Sequence, residues 1–130
     1  MTDTPMLPPD LQAAMRARDE AFYAVDPAQW SIYTARYFTT VQQNGLLMAR
    51  TERIANLQTQ KRRPYVPREC EQHEQQGDLV VTRFLSGGLW VVEVWKRIDS
   101  AWVTVMTQAT TATIGSPSPP PSESLAACSR

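Results

Sequence analysis

The sequence predicts an α+β domain in which early helices pack on a sheet built mainly by the second half of the chain. Two observations carry that expectation. Leu89 to Thr110, LWVVEVWKRIDSAWVTVMTQAT, reads as two long strands folded back at Asp99-Ser100, because Val, Trp, Ile and Thr suit a pleated surface and a two-residue polar break marks a tight hairpin. Upstream, two proline-started segments carry apolar residues at helical spacing. Everything earlier has to pack against the closing ribbon.

Met1 to Leu7 reads as an arm, and residues 1–9 are set apart from a domain over 10–114. Pro8-Pro9-Asp10 suits a first helical turn, where proline's missing donor costs nothing. Leu11, Met15, Phe22 and Val25, with Ala14 and Ala21, make the buried stripe of this helix; Arg16, Arg18, Asp19 and Glu20 are placed mostly off it. Tyr23 is a packing residue with a wet tip, or a hydroxyl offered to a cavity. Asp26-Pro27-Ala28-Gln29 restarts the helix, with Asp26 as N-cap, Pro27 at the first position and Gln29 in the capping-box place. This second helix is expected to reach about Arg36, with Trp30, Tyr33 and Tyr37 on one aromatic face that either packs in the core or walls a pocket.

Phe38 to Gln43 and Leu46 to Ala49 flank Asn44-Gly45, a pair that tolerates positive φ, and so form a hairpin. Thr51 is expected to cap a third helix that buries Ile54 and Leu57 and ends near Lys61-Arg62-Arg63, read as a solvated helix end. Pro64 to Pro67 is an extended connector. Arg68 to Gln76 and Leu79 to Leu85 are strands around Gly77-Asp78, and Ser86-Gly87-Gly88 leads into the ribbon. Residues 115–130 are Pro/Ser-rich and carry too few apolar side chains to offset ordering, so a disordered tail is expected.

At 130 residues and 42% apolar, the chain suffices for one domain with a core. Thirteen basic residues balance thirteen acidic ones, which removes the field that draws proteins to phosphate backbones or acidic membranes. Nucleic acid and membrane partners are therefore not expected. The start has neither a basic n-region nor an apolar h-region, and a cytoplasmic protein is the expectation. Cys70 and Cys128 lack metal-ligand spacing and read as incidental thiols; His73 has no neighbour that would make it a metal ligand. No metal or cofactor is expected.

With Asp99-Ser100 as the loop, Trp95 faces Thr104, Glu93 faces Met106 and Val91 faces Gln108. One face then carries Val91, Glu93, Trp95, Trp102, Thr104, Met106 and Gln108, and mixes large apolar groups with polar ones as a ligand cavity does. The other carries Trp90, Val92, Val94, Val103, Val105 and Ala109, which predicts a second subunit on that side.

Asp26-Pro-Ala-Gln-Trp through Arg36-Tyr-Phe, Asn44-Gly-Leu-Leu-Met-Ala-Arg-Thr-Glu-Arg-Ile, and Glu93-Val-Trp-Lys-Arg-Ile-Asp-Ser-Ala-Trp through Gln108-Ala-Thr resemble the nuclear transport factor 2-like superfamily. The nearest branch is that of small bacterial SnoaL-like domains, with likeness to ketosteroid isomerases and to the association domain of calmodulin-dependent kinases. The resemblance implies a cone-shaped, curved mixed β-sheet wrapped around three N-terminal helices (the cystatin-like α+β roll), an internal pocket and a homodimer. Three positions depart from the branch. Glu93 stands where arginine commonly points into the pocket, Arg36 where an acidic residue is usual, and Ser100 where the turn usually has glycine.

The pocket is expected between the second helix and the ribbon, with Trp30 and Tyr33 meeting Glu93, Trp95, Met106 and Gln108. Glu93 in place of arginine predicts reversed polarity, with carboxylate ligands repelled. No aspartate aligns to the isomerase roles, so no catalytic residue is assigned. Glu93 is either a base tuned by burial or a structural glutamate tied to Gln108 or Arg83. Small-molecule binding ranks ahead of an isomerase or polyketide cyclase-like enzyme that abstracts a proton beside a carbonyl, and an assembly module ranks third.

Overall fold

A computed structural model of the chain describes residues 6–113. The element order is α1 (Pro9–Ala24), α2 (Pro27–Ile32), β1 (Thr34–Val41), β2 (Leu47–Ala49), α3 (Arg50–Gln58), β3 (Glu69–Gln76), β4 (Leu79–Ser86), β5 (Leu89–Ile98) and β6 (Ala101–Thr111). The strands form one mixed sheet in the order β2-β1-β6-β5-β4-β3, with β1 and β6 parallel and the other neighbours antiparallel. The architecture is the expected α+β one.

Proline starts both leading helices, and Asp26 accepts from the Gln29 amide at 3.2 Å as N-cap of α2. α1 closes on Val25 in the left-handed region at φ 54°, where the Val25 and Asp26 amides take the carbonyls of Phe22 and Ala21. α2 is shorter than its aromatic spacing predicts. It stops at Ile32, and β1 begins at Thr34, so Tyr37 lies on a strand and is exposed instead of sharing a face with Trp30. At α3 the cap position falls to Ala49 and not Thr51, with the Glu52 carboxylate accepting the Ala49 amide at 2.8 Å. The helix ends at Gln58, before Lys61-Arg62-Arg63, and the Arg63 amide instead donates to the Tyr23 carbonyl at 2.8 Å.

Asp99 and Ser100 turn the ribbon at φ 51° and 67°, the doubly positive geometry that matches strand twist. From there the pairing runs as expected to Trp95 opposite Thr104. Then Val94 pairs with Met106, and Val105 is left as a bulge. Since side chains alternate with period two, one unpaired residue reverses the faces of everything beyond it. Thr107 and Ala109 turn inward, while Met106 and Gln108 turn out, which corrects the expected placement of Met106, Gln108 and Ala109.

Two apolar clusters lie under the helices. Leu11, Ala14 and Met15 of α1 meet Val80, Trp95 and Trp102 of the sheet in one; Ala21, Trp30, Phe38 and Leu57 form the other. Leu7, expected in the arm, is buried in the first. Cys70, expected to be an incidental thiol, is disulfide-bonded. No helix among the described residues is long and apolar enough to cross a membrane. The expected tail over 115–130 lies outside the described residues.

Candidate functional site

Between the two apolar clusters the inner sheet face carries a polar row: His73 of β3, Thr82 of β4, Glu93 of β5, Thr107 of β6 and Thr40 of β1 are successive register partners. Arg18 and Asp19 of α1 and Arg68, just before β3, come down onto this row. Arg18 Nη1 donates to Glu93 Oε2 at 3.3 Å and its Nε to Thr34 Oγ1 at 3.0 Å. Arg68 Nη2 reaches Glu93 Oε1 at 2.8 Å and Asp19 Oδ1 at 3.1 Å, while its Nε takes Asp19 Oδ2 at 2.6 Å. The Trp95 indole N–H donates to Glu93 Oε1 at 2.8 Å. Both oxygens of Glu93 are engaged, and its side chain is only 4% exposed. The partners are neither Gln108 nor Arg83. Arg83 points to the outer face and pairs with Gln72, because it occupies an odd position on β4.

The electrostatics follow from burial against pairing. Burial alone would raise the Glu93 carboxyl, yet Arg68, Arg18 and the indole N–H together hold it below the usual glutamate value. Asp19 goes the other way: burial outweighs its bonds to Arg68 and pushes it up. Burial brings the Arg18 guanidinium down to about 10, partly offset by Glu93. Burial also opposes the charge of Arg68, but Glu93 and Asp19 hold it above the ordinary arginine range. Two buried arginines and the carboxylates of Asp19 and Glu93 thus form a charge-paired plug, with the exposed Glu71 adding a third carboxylate to Arg68 at 3.3 Å. Arg18 is further cradled by aromatic rings, 4.5 Å from the Trp30 centroid and 5.4 Å from Phe38, and Arg68 lies 3.8 Å from Phe84.

This plug floors a cavity of about 560 Å³. Phe22 and Tyr23 of α1, Trp30 of α2, Phe84 of β4, Leu89 and Val91 of β5 and Ala109 of β6 give it apolar walls. Arg53 of α3, then Gln60, Lys61 and Arg63 beyond it, line the α3 side. Among the residues expected at the site, Trp30, Glu93 and Gln108 line the cavity, Gln108 with its side chain exposed. Tyr33 packs against the first apolar cluster. Trp95 is fully buried and reaches the site only through its bond to Glu93. Met106 is 48% exposed on the outer face, beyond the bulge. The lining holds Arg18, Arg53, Lys61, Arg63 and Arg68 against Asp19 and Glu93, so its excess charge is positive, opposite in sign to what Glu93 alone predicts.

An NTF2-like protein from Cytophaga hutchinsonii is similar at a TM-score of 0.72 and 15% identity, over 78% of this chain and 95% of that one. The fold is nuclear transport factor 2-like. A putative Ca/calmodulin-dependent kinase II association domain from Exiguobacterium sibiricum is similar at 0.61 and 13%, over 84% and 98% of the two chains. A protein of unknown function with a cystatin-like fold from Nostoc punctiforme gives 0.65 and 11%, over 84% and 90%. No family model and no curated protein matches the sequence. On this fold, arginines from α1 and from the segment just before β3 converge on Glu93.

Proposed function

We propose that the protein binds a small, partly apolar molecule in the cavity over the Arg18–Glu93–Arg68–Asp19 plug, as a homodimer and without converting the ligand. The carrying observation is the engagement of both Glu93 oxygens by two buried arginines and an indole N–H, which fill three of the carboxylate's four acceptor sites and hold it charged, below the range of a general base poised near neutrality. Aromatic walls above a satisfied polar floor suit recognition by shape and burial. The homodimer reading rests on the outer face of β4–β6. There Val81, Val92 and Met106 are exposed at 39%, 36% and 48%, beside half-buried Trp90, Val94, Val103 and Val105.

The test is a thermal-shift screen with small amphipathic compounds on the wild type and on Ala109→Phe, which places a ring in the cavity. A ligand at a hundred times its Kd stabilises by about 2.7 kcal/mol. Shifts seen in the wild type and lost in the variant support the binding reading; shifts retained in the variant refute the site. Recovery of chemically altered carbonyl compounds by mass spectrometry, depending on Asp19 or Glu93, would replace it with the isomerase reading.

A further inference from the structure

The cationic residues on the cavity lining divide into two kinds. Arg18 and Arg68 meet carboxylates, as do Arg16 and Arg97 elsewhere. Arg53 and Arg63 meet none among the described residues. Arg53 donates to Asn56 Oδ1 at 2.7 Å and Arg63 to Gln60 Oε1 at 3.5 Å, both neutral acceptors. Yet the two are gathered at one place: their guanidinium carbons lie 5.5 and 5.0 Å from the centroid of the same Phe22 ring, and Arg63 is also 5.1 Å from Tyr23. Burial lowers the Arg53 guanidinium from its ordinary value. Both cations thus stand at the edge of an apolar cavity with stacking on Phe22 and no carboxylate beside them. An anionic head group at that edge would supply the missing counter-charge, and Lys61 stands on the same lining.

We propose that the cavity is specific for organic anions with an apolar body, held by a head group on Arg53 and Arg63 and oriented with the body inward against Phe22, Trp30, Phe84 and Val91. This rests on the binding reading above. The paired plug sets the orientation: Glu93, Asp19 and Glu71 already occupy the arginines of the floor, so the unneutralised positive charge of the lining lies on the α3 side.

Two dyes with the same ring system test it: anilinonaphthalene sulfonate, which carries the anion, and phenylnaphthylamine, which lacks it. Fluorescence titrations on folded protein, checked by circular dichroism, should show the sulfonate binding about tenfold tighter than the neutral dye. Arg53→Gln together with Arg63→Gln should erase that preference and leave the neutral dye within about twofold of wild type, as expected when only a charge contact is lost. Arg63 is exposed, so Arg63→Gln alone carries the test if the Arg53 change unfolds the chain, with a smaller loss for the sulfonate only. Equal binding of both dyes, unchanged by either substitution, would overturn the anion specificity while leaving the cavity as a binding site. Failure of the wild type to bind either dye, or binding that survives Ala109→Phe, would remove the binding reading itself, and the anion specificity with it.

Discussion

Glu93 shows how far a side chain's meaning depends on what meets it. As a lone buried carboxylate it would be a proton acceptor; between Arg18, Arg68 and Trp95 it is a fixed anion. Glu93→Gln should therefore destabilise the fold by about 3 kcal/mol, because it leaves the buried Arg18 without a counter-charge and Arg68 with Asp19 and Glu71 only. The pH dependence separates this from ordinary repacking. The folded-state carboxyl lies below the usual 4.5, so the contribution of Glu93 is complete above that value and is lost as pH falls through the depressed one. Asp19 has the opposite sign: raised by burial, it takes up its proton first in the folded state, and stability gains from it as pH falls. Urea titrations of wild type and Glu93→Gln should thus converge on acidification, and a constant difference down to pH 2 would show that the ion pairs contribute nothing.

Part of this site was open to reading in the sequence. Arg18 follows Leu11 by seven residues and Met15 by three and precedes Ala21 by three, which is the buried phase of α1. The rule that arginines stay outside outweighed that spacing, and it fails here because Glu93 supplies the partner from the sheet. The bond from Arg68 to Asp19 spans 49 residues and leaves no local pattern to find. Tyr37 misled for a different reason. Trp30, Tyr33 and Tyr37 have helical spacing, but Thr34 to Val41 gains more by pairing with β6 and β2 than by extending a helix whose next face is solvent.

At the scale of elements, the ribbon turn is the place where backbone and side chain disagree. Ser100 is exposed and held at φ 67°, a region that costs a non-glycine residue about 1 kcal/mol. Ser100→Gly should raise the unfolding free energy by up to about that amount with no change in the denaturant slope; a loss of stability would mean that the serine side chain supports the turn. The turn itself was legible, as were the hairpins at Gly45 and Gly77, because each rests on a few adjacent residues. The bulge at Val105 was not. A valine in a strand looks the same paired or unpaired, and what selects the extra residue is the shape of β6 between β5 and β1. The β1–β6 register also shifts, between Thr34 and Thr39.

For the whole molecule, the proposed dimer rests on the outer sheet face. Val81, Val94 and Met106 form one cross-strand row there and Arg83, Val92 and Gln108 the next, so Val92 stands at the middle of a patch with a polar neighbour on each side. Val92→Glu should move the sedimentation boundary from dimer to monomer and leave the melting curve of the monomer intact, since the side chain is already partly exposed in the single chain. A wild type that sediments as a monomer at high concentration would remove the dimer reading.

The unpaired Val105 has one more consequence. It splits β6 into two stretches with separate obligations: Trp102 and Thr104 on its near side are buried in the packing under α1, whereas Thr107, bonded to Thr40, and Ala109 on its far side line the cavity. Substitutions at 107 and 109 can therefore change what the cavity accepts while the packing at 102 and 104 stays as it is. A lineage of such chains could diversify in ligand along half a strand and inherit the other half unaltered.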